Sequence, residues 1–199
     1  MINIFLSYTA IISSSRFRYL IIESGDFMLF DFYPWEIESD VEKTRELYRQ
    51  NDHSLDKSIN ARFKSSLTQK QLEFFDSLGV NLDNIYISEY VYEIPEDVHQ
   101  EAKEIYKMSV HFLITGKFTA LTGFQKRLYN DEQLFGDGLP KDLKIIELED
   151  ENAVPAYAVD GISFSFKHPK FVIDKPRFQA WDCGYIVVCA NIMKDLSLT

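Results

Sequence analysis

The helix signals of this chain are concentrated in its middle, while runs of β-branched and aromatic residues fill most of both ends. An order of strands, helices and strands again lacks the regular βαβ alternation of a doubly wound parallel sheet. It predicts an α+β fold, with largely antiparallel sheets from the N-terminal and C-terminal strands and the middle helices packed on one side. No repeat and no Pro/Ser-rich linker interrupts the pattern, so residues 1–199 are expected to form a single α+β domain.

Residues 2–12, 16–23 and 27–33 read as strands, separated by a Ser cluster and by Ser24-Gly25-Asp26, with Pro34 ending the third. Ser39-Asp40-Val41-Glu42 reads as a capping box that opens a helix over 40–50. Residues 51–64 are polar without a clear period and read as a loop. Thr68 followed by Gln71 predicts a second cap, with Leu72, Phe75 and Leu78 at helical spacing and Gly79 as the stop. Residues 85–94 read as a central strand covered on both faces. Pro95-Glu96-Asp97 predicts the start of a helix that runs to Thr115, with Val98, Ala102, Ile105, Met108, Phe112 and Leu113 as its apolar stripe. A short helix is expected within 119–129 and a loop over 135–140. Strands follow over 143–148, 153–159, 162–166, 177–181 and 185–189, with a helical turn over 191–196.

Of the 199 residues 46% are hydrophobic and 15% aromatic, too many for a disordered chain and enough for a core without disulfide or metal staples. The 31 acidic residues outnumber the 21 basic ones, giving a net charge of -10. That excess repels phosphate backbones and anionic membrane surfaces, so neither direct nucleic-acid binding nor membrane association is expected. No apolar run approaches the roughly 20 residues needed to span a bilayer. Residues 1–12 lack the basic start of a secretory leader and read as a strand. Cys183 and Cys189, on one extended strand, would lie about 20 Å apart, beyond disulfide reach, so two free thiols in a reducing cytoplasm are expected.

Motifs that carry chemistry are missing. His53, His99, His111 and His168 form no ligand pattern, and Cys183 beside Asp182 lacks the cationic setting that activates a thiol. No GxSxG, SxxK, GxGxxG or P-loop occurs, and no cofactor is expected. What remains is three acidic bands: Glu36, Glu38, Asp40 and Glu42; Glu89, Glu93, Glu96 and Asp97; and Glu147, Glu149, Asp150 and Glu151. Tyr33, Trp35, Tyr90 and Tyr92 are interleaved with the first two.

Acidic side chains beside aromatic anchors suit a basic protein partner, because charge raises association rates and buried aromatics supply most of the binding energy. The candidate partner-binding residues are Trp35, Glu36, Glu38, Tyr92, Glu93, Asp97, Glu149 and Asp150. The expected function is an acidic cytoplasmic inhibitor of the immunity-protein kind, which occludes the active or substrate-binding surface of a basic bacterial toxin or effector domain. Two alternatives stand beside it. One is a carboxylate-based, metal-dependent enzyme using Glu147, Glu149 and Asp160; the other is a subunit whose aromatic surplus covers a permanent interface.

Overall fold

Strand parity decides which residues of the first sheet face inward. In the computed structural model, which describes residues 19–20, 27–94, 103–123, 144–148, 155–168, 181 and 183–196, strands β2 (Met28–Phe32) and β3 (Trp35–Ser39) form an antiparallel hairpin about Tyr33 and Pro34. Its register places Phe30 opposite Ile37 and Phe32 opposite Trp35, all four buried. Glu36 and Glu38 alternate with them onto the outer face. The short β1 (Tyr19–Leu20) pairs with β2, β6 (Lys117–Thr122) with β3, and β7 (Lys144–Ile146) runs parallel to β6. Sheet A therefore has the order β1-β2-β3-β6-β7.

Sheet B has the order β4-β5-β10-β9-β8 and is antiparallel throughout. Its strands are β4 (Tyr86–Ile94), β5 (Lys103–Thr115), β8 (Tyr157–Val159), β9 (Ile162–Lys167) and β10 (Tyr185–Asp195). Asp160 and Gly161, both at positive φ, form the two-residue turn between β8 and β9, the Asp-Gly pairing that tight hairpins favour. Gly116 joins β5 to β6 at φ +142°, where a Cβ would come within 2.1 Å of the Glu38 carbonyl oxygen, so no other residue fits that turn.

Between β3 and β4 in the chain come α1 (Val41–Gln50), α2 (Lys57–Ser65), α3 (Gln69–Ser77) and a short 3-10 turn at Leu82–Asn84. Helix α3 keeps the capping box expected at Thr68 and Gln71. Helix α1 is capped by Asp40, whose carboxylate accepts from the Lys43 N–H at 2.8 Å. Ser39 closes β3 instead, and its hydroxyl donates to the Thr115 carbonyl.

Aromatic rings join the layers. Phe166 of β9 stacks on Phe32 of β2 at 4.9 Å and 9°. Phe74 of α3 meets Phe164 at 4.6 Å, and Phe75 meets Phe112 at 5.1 Å. The buried residues of both sheets and the helices make one continuous hydrophobic cluster. No helix among the described residues is long and apolar enough to cross a membrane.

The α+β architecture agrees with the sequence, but several elements differ. Residues 103–115 are strand β5, not the end of a helix, because Met108, Val110, Phe112 and Ile114 bury one face at period two. Pairing with β10 runs without interruption from Thr115↔Tyr185 to Ile105↔Asp195. That pairing also extends β10 through the residues expected to form a terminal helical turn. Residues 117–122 are strand β6 rather than helix. The expected loop over 51–64 contains α2. Strand β4 is an edge strand rather than a central one. The strands expected over 2–12, most of 16–23 and most of 177–181, the helix start at 95–97 and the loop over 135–140 lie outside the described residues.

Candidate functional site

Where a sheet runs past its covering helices, its side chains stay exposed on both faces, and the far half of β4 and β5 is such a place. The core-facing row of sheet B is buried at Ile87, Val110 and Ala190. Beyond it, Tyr90, Val91, Tyr92 and Met193 are 45%, 50%, 37% and 62% exposed. Single exposed apolar residues such as Phe27, Tyr33 and Leu55 are ordinary on a protein surface; four on one three-stranded arm are not. On one face the Tyr90 and Tyr92 rings lie 6.0 Å apart, the Tyr92 hydroxyl is 3.9 Å from the Met193 sulfur, and Lys107 sits 5.5 Å over the Tyr90 ring.

The other face of the arm carries Val91, Glu93 and Glu104. The register sets Glu93 directly opposite Glu104, and both are exposed without an ion pair among the described residues. Hydrogen-bond parity makes this opposition close. The Gly116 N–H reaches Gly184 on the β10 side. The Tyr48 hydroxyl bonds both Leu113 backbone groups, and the Thr44 hydroxyl bonds the Thr115 N–H. Odd residues of β5 thus point their backbone groups toward β4, and the bonded pairs are Tyr86–His111, Ser88–Ser109, Tyr90–Lys107 and Tyr92–Ile105. Glu93 and Glu104 form a non-bonded pair, in which side chains approach most closely, and like charges there repel.

By the same parity the N–H and C=O groups of Ile87, Glu89, Val91 and Glu93 point away from the sheet. Helix α2 covers the start of this edge, where the Asn60 amide donates to the Ile85 carbonyl at 2.9 Å and Arg62 pairs with Glu89. At Val91 and Glu93 the outward groups have no hydrogen-bond partner among the described residues.

A part-buried polar cluster holds the root of the arm. The Tyr106 hydroxyl donates to Glu89 at 2.5 Å while Arg62 binds the other carboxylate oxygen. Burial pushes the Glu89 carboxyl up, but Tyr106 and Arg62 outweigh it and hold it below the ordinary carboxylate value. Burial together with Glu89 pushes the Tyr106 phenol up to about 12. A carboxylate lowered in the native state stabilises the fold above its unfolded pKa, about 4.3, and loses that contribution as pH falls through the lower native value. Glu89→Gln should therefore cost about 1–2 kcal/mol at neutral pH, most of it from the Tyr106 bond because Arg62 is exposed. In urea unfolding curves the difference from wild type should begin to shrink as pH falls below about 4.3 and be lost once pH passes below the lowered native value.

The candidates among the described residues do not form one surface. Tyr92 and Glu93 are on the arm. Trp35 is 1% exposed and packs on Phe166, so it is a core residue and presents no surface to a partner. Glu36 and Glu38 lie on the outer face of sheet A, each ion-paired, to Lys144 and to Lys117 respectively. Asp97, Glu149 and Asp150 lie outside the described residues. Glu104 was missed, because a residue read as helical has no cross-strand partner.

The carboxylates of the enzyme alternative do not converge among the described residues. Asp160 accepts from Thr68 and pairs with Lys70, fastening the β8–β9 turn to α3. Glu147 lies against Gly123. No group of three or more His, Cys, Asp or Glu residues among those described is placed to hold a metal ion. Cys183 and Cys189 form no disulfide, and burial pushes the Cys189 thiol up, away from the reactive thiolate. No protein-family model, curated protein or solved structure matches this chain.

Proposed function

We propose that this protein is a binding protein that holds a basic protein partner on the arm formed by β4, β5 and the end of β10. Its biological form would be an inhibitor of the immunity-protein kind, which occludes the cationic surface of a toxin or effector domain. The observation that carries this reading is the cross-strand pair Glu93 and Glu104, which has no ion pair among the described residues, beside exposed Tyr90, Val91, Tyr92 and Met193. A Lys or Arg from a partner relieves the repulsion between the two carboxylates, and the tyrosines supply contact area at low entropic cost.

The net charge of -10 would draw a basic partner in from a distance, so association should be fast at low salt. Two cysteines without a disulfide between them fit a reducing, cytoplasmic setting. The test is capture by the tagged protein from its native source, followed by kinetics with the retained protein. Glu93→Lys combined with Glu104→Lys should slow association about tenfold at low salt and flatten its salt dependence. Retention and kinetics equal to wild type would contradict the reading.

A further inference from the structure

We infer that the partner docks by adding an extended strand to the edge of β4 that no described residue pairs with beyond Glu89, and that this strand carries a Lys or Arg two residues from an apolar side chain. The inference rests on the binding reading above and adds the mode of binding and the sequence class of the ligand. Outward N–H and C=O groups at Val91 and Glu93 offer a strand ladder to an incoming chain. Among the described residues nothing pairs with this part of the edge beside its exposed apolar side chains, whereas proteins usually cover or charge such edges. Here Asn60 and Arg62 of α2 engage only the part nearest the core.

The side chains on the edge specify the occupant. On one face, an added residue opposite Val91 meets an apolar neighbour, and the residue opposite Glu93 meets two carboxylates that have no ion pair among the described residues. At the other end Glu89 is already paired with Arg62, so a further cation there gains nothing. On the opposite face, added residues meet the Tyr90 and Tyr92 rings, which accept aliphatic, aromatic or cationic side chains. A second copy of this chain is a poor occupant. Antiparallel pairing of two β4 edges about Val91 sets Glu89 and Glu93 of one copy against Glu93 and Glu89 of the other. The same acids that exclude a copy admit a basic strand.

The test uses capped fluorescent peptides of alternating Thr and Val, one with a single Arg two residues before its central Val and one with Glu in place of that Arg. With the intact protein, the Arg peptide should bind saturably by anisotropy and the Glu peptide at least tenfold more weakly. Val91→Pro removes the outward N–H while leaving the β4–β5 ladder intact, because that group points away from β5. It should weaken the Arg peptide at least tenfold, whereas Val91→Thr, which keeps the N–H, should bind like wild type. N-methylation of the peptide's edge-facing amides should abolish binding with the protein unaltered. Failure of the Arg peptide to bind, or equal binding by wild type and Val91→Pro with matching circular dichroism, would overturn strand addition. A dimer of this chain that Val91→Pro dissociates would likewise replace the basic strand with a second copy. If the captured partner loses affinity with Glu93→Lys but not with Val91→Pro, docking is by side chains alone; the binding reading then stands and strand addition falls.

Discussion

Phe166→Ala should lower the unfolding free energy by about 3–5 kcal/mol. Phe166 is fully buried and is the side chain through which β9 reaches sheet A, touching both Phe32 at 4.9 Å and Trp35 at 5.2 Å. Truncation leaves a void walled by two large rings whose positions are fixed by the β2–β3 register. Such a site collapses poorly, which places the cost in the upper part of the range for large-to-small changes. Phe166→Leu should cost less, about 1–2 kcal/mol, by retaining most of the volume. Urea unfolding at constant slope is the check, and a loss under about 1 kcal/mol for the alanine variant would contradict a core continuous between the sheets.

Tyr48→Phe should cost about 2–4 kcal/mol although it deletes a single oxygen. Strand β4 begins opposite His111, leaving the last residues of β5 without a strand partner on that side. Helix α1 completes the ladder with side chains. The Tyr48 hydroxyl donates to the Leu113 carbonyl at 3.1 Å and accepts from its N–H at 2.9 Å. Burial pushes the Tyr48 phenol well above its ordinary value, so it stays protonated and able to donate. Phenylalanine leaves both backbone groups of Leu113 buried and unpaired, each costing about 1–3 kcal/mol. Amide exchange at Leu113 should accelerate in parallel, and a variant as stable as wild type would show that another group replaces the hydroxyl.

Much of this architecture was legible in the sequence, and the errors have particular causes. Helix α3 was readable because its cap, its apolar spacing and the glycine stop agree. Helix α2 was not, because one of its two buried positions is Asn60, which holds the Leu82 and Ile85 carbonyls; a polar residue at a core position erases the amphipathic period. Strand β5 was misread because Ile105, Met108 and Phe112 fit a helical stripe, while Met108, Val110, Phe112 and Ile114 fit a strand equally well. The long pairings with β10 and β4 decide between them.

The site was half visible. Tyr92 and Glu93 stood out as an acid beside an aromatic. Trp35 had the same local appearance, yet parity along β3 turns it inward and turns Glu36 and Glu38 out. Glu104 acquires meaning only from the register that sets it opposite Glu93, a non-local fact that no local pattern contains. Burial of the arm's root and exposure of its tip likewise follow from how far the helices extend over sheet B.

The most direct test of the binding reading is amide hydrogen exchange on the protein alone and in complex with its captured partner. The arm reading predicts slowed exchange over 89–94 and 104–107 on binding, with the outer face of sheet A, at Glu36 and Glu38, unchanged. Protection confined to sheet A or the helices, with the arm exchanging as fast as in the free protein, would contradict it.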